Sequence, residues 1–71
     1  MTYEDACKRW HSRFLKAVKK KRKIGRDEFL KKIDICVTNG SCYYKGTKIA
    51  KPQKISVMCI QINIPLEEIF F

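Results

Sequence analysis

No stretch of this chain is long and apolar enough to span a membrane, and its first residues, Met-Thr-Tyr-Glu-Asp, carry acids where a secretory leader carries cations. The expected setting is therefore intracellular, cytoplasmic by default and nuclear in a eukaryotic cell. In a reducing compartment Cys7, Cys36, Cys42 and Cys59 read as free thiols. A two-disulfide framework is the alternative, with three ways of joining four cysteines. Histidine is nearly missing: His11 stands alone, and no Ser, Cys or carboxylate is spaced to form a recognisable catalytic set with it. An enzyme is not expected. Neither Cys-x-x-Cys nor His-x-x-x-His occurs. Cys7 and His11, four apart, could share a zinc ion with Cys36 and Cys42, but the hairpin register derived below puts those two cysteines on opposite faces. No metal and no cofactor is expected.

Acids are scarce where bases are dense. Residues 1–32 hold twelve Lys or Arg against Glu4, Asp5, Asp27 and Glu28, while residues 33–71 hold four Lys against Asp34, Glu67 and Glu68. Nearly all of the net charge of +9 thus belongs to the N-terminal half. Such asymmetry speaks about partners, an acidic surface or a nucleic acid, and says little about fold. With 71 residues and 45% hydrophobic content the chain suits one core, hence a single domain over 1–71.

What is present is an amphipathic period. Tyr3, Cys7, Trp10, Phe14, Ala17 and Val18 recur at spacings of three and four, which predicts a helix over residues 3–23 with one buried face, widened by Ala6 and Leu15. Thr2 suits its N-cap, with Asp5 three positions on, and Gly25 suits the turn that ends it. Opposite the apolar stripe run Arg9, Arg13, Lys16, Lys20 and Lys23, flanked by Lys8, Lys19, Lys21 and Arg22. A helix of some twenty residues reaches about 30 Å, enough to meet several phosphates. A solvated helix face normally mixes its signs at i, i+4, and this one does not. Lys19-Lys20-Lys21-Arg22-Lys23 also matches a nuclear-import signal, a short pattern that a folded helix would half conceal.

Residues 26–32 fit either a short second helix or the run-in to a strand. Beyond them the period shifts to two: Ile33, Ile35 and Val37 alternate with Asp34, Cys36 and Thr38, and Asn39-Gly40 is the pair favoured in a type I′ hairpin. The implied ladder pairs Val37 with Cys42, Cys36 with Tyr43, Ile35 with Tyr44 and Asp34 with Lys45. The run from Ile55 to Ile64, β-branched and without charge, reads as a third strand with Met58, Ile60, Ile62 and Ile64 in the core. Pro65 to Phe71 suggests a helical turn whose apolar groups fold back on the sheet or meet another chain. The expected fold class is α+β: a long basic N-terminal helix on a three-stranded antiparallel sheet, in the order α-β-β-β.

Two functions follow from this reading. The first is a small nucleic-acid-binding accessory protein that contacts DNA or RNA phosphates, largely without regard to base sequence. Its contacts would be Lys8, Arg9, Arg13, Lys16, Lys19, Lys20, Arg22 and Lys23, joined by Lys45 and Lys48 of a lysine-bearing loop and by Tyr43 as a stacking platform. The second is a protein-binding module or inhibitor that docks its basic helix on an acidic partner surface, with Ile69, Phe70 and Phe71 as interface or homodimer seam.

Overall fold

The computed structural model describes residues 2–33 and 35–71. Its elements are all helical: α1 (Tyr3–Lys16), continued by a π-helical turn (Ala17–Lys21), α2 (Arg26–Lys32), α3 (Val37–Lys45), α4 (Pro52–Ile62) and α5 (Glu67–Phe70). Among the described residues there is no strand, so the three-stranded sheet and the α+β class are overturned. The Asp34–Lys45 pair expected of the hairpin involves a residue outside those described.

Helix α1 begins as its sequence dictates. The Thr2 Oγ1 accepts the Asp5 N–H at 3.1 Å, Glu4 and Asp5 meet the positive end of the dipole, and Arg13 and Lys16 the negative end. Its buried line is Cys7, His11 and Phe14, carried on by Ala17 and Val18. Tyr3, expected in the stripe, is 65% exposed, whereas His11, placed at its boundary, lies in the core at 1%.

The π-turn then changes the register. In an unbroken α-helix Arg22 would lie one turn below Val18, which is fully buried. The wider turn instead closes with the Arg22 N–H on the Ala17 carbonyl at 3.0 Å. The chain leaves through Lys23 at φ 51, with the Ile24 N–H reaching back to Val18 O at 2.9 Å. Lys23, not Gly25, takes the left-handed position. Gly25 is the N-cap of α2 in extended conformation.

Two helices replace the three expected strands, and each has its cause in packing. Asn39-Gly40 was read for its ability to adopt positive φ, yet of the glycines only Gly46 does so, at φ 83, where it ends α3. Gly40 is buried within α3 because it lacks a side chain: a Cβ there would stand 2.7 Å from Leu30 Cδ2 and 3.2 Å from Ile33 Cδ1. Its bareness lets α2 and α3 approach closely. In α4 the buried residues are Ile55, Met58, Cys59 and Ile62, a spacing of three and four, while Ile60, assigned to a strand's inner face, is 69% exposed. Pro52 opens α4 at its first turn, where its missing N–H costs nothing, and Asn63 at φ 68 ends it. Propensity separates isoleucine from good helix formers by only a few tenths of a kcal/mol, roughly, so burying one apolar face decides.

The core joins Phe14 and Val18 of the first helix and its π-turn to Phe29, Tyr43, Ile55, Met58, Cys59 and Ile69. Helix α5 packs along α1, with Ile69 buried and Phe70 edge-on to Trp10 at 5.2 Å between ring centroids. The apolar C-terminal segment therefore does fold back, onto a helix in place of a sheet.

Candidate anion-binding face

The cations of α1 and the π-turn do not form one uniform stripe. Lys8, Arg9, Arg13, Lys16, Lys19, Lys20 and Lys23 are all exposed, and Arg22 is half-buried. Two of the arginines reach α5. An Arg13 Nη1 N–H donates to the Ile69 carbonyl at 3.1 Å, satisfying a main-chain acceptor near the end of that short helix. Arg22 grips Glu68 with both ends of its fork, each bond 3.0 Å, and the Lys21 ammonium stands 3.8 Å from the same carboxylate. Hydrogen bonding to Arg22 holds the Glu68 carboxyl below its ordinary value and raises the Arg22 guanidinium above its own.

Between these contacts lies a cleft of about 290 Å³, lined by Arg13, Lys16, Ala17, Lys20, Lys21 and Glu68. Ala17 supplies a small apolar floor, four cations surround it, and the single carboxylate is already held by Arg22. Among the described residues no carboxylate pairs with Lys16 or Lys20. Sequence reasoning placed Arg13, Lys16 and Lys20 on one face and treated Lys21 as flanking. It missed Ala17 as the floor and Glu68 as a wall, because no pattern announces a π-turn or shows which residue a distant carboxylate will meet.

The remaining candidates are placed differently. The Lys19 ammonium sits over the Tyr44 ring at 4.5 Å from its centroid, and the Tyr44 hydroxyl donates to Ile24 O at 3.0 Å. Tyr43 is not a stacking platform on an outer face: at 8% exposure it belongs to the core, its ring 6.1 Å from that of His11. Lys48 lies over that ring at 5.7 Å and donates to Asn39 Oδ1 at 3.3 Å. Lys45 is exposed in the last turn of α3, where a cation suits the helix dipole. A second cleft, of about 290 Å³, is lined by Lys51, Gln53, Lys54 and Val57. Of the apolar trio proposed as an interface, Ile69 is buried and Phe70 half-buried within the chain, leaving Phe71 exposed at 94%.

Both ring nitrogens of His11 are taken by the main chain. All four cysteines are unpaired, with Cys7 and Cys59 buried and Cys36 exposed. Among the described residues no three of His, Cys, Asp and Glu converge on a point that would hold a metal ion, and no helix is long and apolar enough to cross a membrane. Compared with known proteins, the chain matches no family model, no curated protein and no solved structure.

Proposed function

We propose that this protein binds nucleic acid through the phosphate backbone, using the solvent face of α1 and its π-turn. One observation carries the reading: from Ala6 to Arg26 the chain has ten Lys or Arg and no acid, and the Glu68 carboxylate that reaches that surface from α5 is already paired with Arg22 and Lys21. A helix face built for solubility alone places acids among its bases, at small gain and no cost. Most cations on this face are lysines, which suit a mobile, sequence-independent contact with phosphate. The arginines Arg13 and Arg22, with their directional forks, serve the fold.

Lys8, Lys16, Lys19, Lys20 and Lys23 then form the contact surface, with Arg9 beside them. Engagement of about five phosphates gives a log–log salt slope near −4.5 on duplex DNA and near −3.5 on a single strand. Fluorescence anisotropy with labelled strands across a salt series measures it. Absence of binding to DNA and RNA at low salt removes the proposal and leaves an acidic protein surface as the partner to seek.

A further inference from the structure

The α1–α5 cleft differs in kind from the open lysine face around it. It is concave, with a volume of about 290 Å³. That is on the order of ten waters, near the lower end of small-molecule sites. The lining joins Ala17 to four cationic residues, Arg13, Lys16, Lys20 and Lys21, whose long side chains each carry an apolar stem and a charged end. A ligand that fits is small, partly apolar and strongly anionic at one end. Arg13 spends one donor on the Ile69 carbonyl and keeps the rest of its fork.

We infer that this cleft seats the phosphate monoester of a nucleotide, either free or at the end of a single strand. The inference rests on the nucleic-acid reading and names the chemical unit that would occupy the cleft. Charge distinguishes a monoester from an internal diester: the former carries about −1.5 to −2 near neutral pH, against −1 for the latter, and several converging cations favour the higher charge. The wall distinguishes them again. Glu68 closes the α5 side, its carboxylate bonded to both ends of the Arg22 fork, so that side is filled by an ion pair and gives a continuing chain no free cation for its next phosphate. The π-turn belongs to this design, since it sets Arg22 below Ala17 and within reach of Glu68, keeping that carboxylate engaged and away from the seat.

The test uses the full chain and four probes: adenosine 5′-monophosphate, adenosine, and one single-stranded oligonucleotide made with a 5′-phosphate and with a 5′-hydroxyl. Backbone NMR is expected to show shifts at Ala17, Lys20 and Lys21 with the monophosphate and none with adenosine. The phosphate-ended strand should bind three- to tenfold more tightly than its hydroxyl-ended twin. Replacing Lys16 and Lys20 together by Gln should bring that ratio to one, whereas Lys8→Gln, outside the cleft, should weaken both strands alike and leave the ratio standing. Shifts with the monophosphate but equal strand affinities assign the cleft to free nucleotides, and a strand preference assigns it to chain ends. If strands bind with equal affinity and the monophosphate leaves Ala17 and Lys21 unmoved, the cleft is no phosphate seat although the basic face still binds. If no strand binds at all, the underlying reading has failed.

Discussion

The His11 Nε2 lies 2.9 Å from the carbonyl oxygen of Tyr43, and the ring's other nitrogen, Nδ1, is 3.2 Å from the main-chain N of Ala50. A carbonyl can only accept and an amide N–H can only donate, so the ring is neutral with its proton on Nε2. One side chain thereby ties α1 to the end of α3 and to the segment entering α4. Burial pushes the imidazole below its ordinary value, the Tyr43 carbonyl opposes this, and the charge of Lys19 adds to it. The unfolded chain therefore takes up the proton near pH 6.5 while the folded one still refuses it. Stability is complete above that value and declines as pH falls below it toward the lowered one. Melting temperatures from pH 8 to 5 should fall below about 6.5 and stay flat there in His11→Gln. His11→Ala should cost about 2–4 kcal/mol, from a cavity and two orphaned main-chain groups. A flat profile in the natural chain would mean that the ring is not held neutral.

Glu68→Gln is expected to move two properties in opposite directions. Losing the fork of Arg22 loosens α5 and lowers the melting temperature, with a red shift in Trp10 emission as Phe70 departs. Removing the one carboxylate from the cleft strengthens the binding of anions there severalfold. The same carboxyl sets an acid limit in the natural protein. Because Arg22 depresses it, its contribution is present above the ordinary value of 4.5 and is lost as pH falls through the lowered one. Loss of both stability and affinity in Glu68→Gln would show that Glu68 shapes the cleft and does not merely wall it.

Lys23→Gly should stabilise the fold by about 0.5–1 kcal/mol. The lysine sits at φ 51, where a Cβ costs roughly 1–2 kcal/mol, and glycine returns part of that through its greater freedom when unfolded. Chemical denaturation measures the gain. The salt slope on duplex DNA should become shallower by about 0.9 if Lys23 meets a phosphate.

Among the four thiols, Cys36 should be alkylated first by iodoacetamide at mildly alkaline pH. It is exposed at the N-cap of α3, where the main-chain groups of Thr38 and Asn39 favour the thiolate and lower its pKa. Burial drives Cys59 the other way, up to about 11, and Cys7 is sealed under α1. Peptide mass spectrometry over a time course gives the order. Modification of Cys59 before Cys36 would show that α4 opens faster than the reagent reacts.

The parts of this protein that were legible in its amino acids are those governed by near neighbours. The Thr2 cap, the period that buries Cys7, Phe14 and Val18, and the cationic side of α1 all follow from contacts within a turn or two. The basic face was visible for the same reason: charge at helical spacing needs no distant partner. Where a segment had two self-consistent periods, local rules chose wrongly. The run from Ile55 to Ile64 alternates well enough for a strand, and Asn39-Gly40 is a good hairpin turn. Only the presence of Leu30 and Ile33 beside Gly40, and of a core able to take Ile55, Met58, Cys59 and Ile62 on one side, turns both into helices.

The cleft belongs wholly to this second kind. Its floor depends on a π-turn, its wall on Glu68, forty-six residues from the arginine that holds it, and its rim on Arg13 meeting the carbonyl of Ile69. The sign and placement of the charge were thus settled along the chain, where helical spacing alone puts each lysine on its face. The conversion of part of that charged face into a concave site was settled across the chain, because concavity needs a second element, and neither spacing nor composition says which one will come.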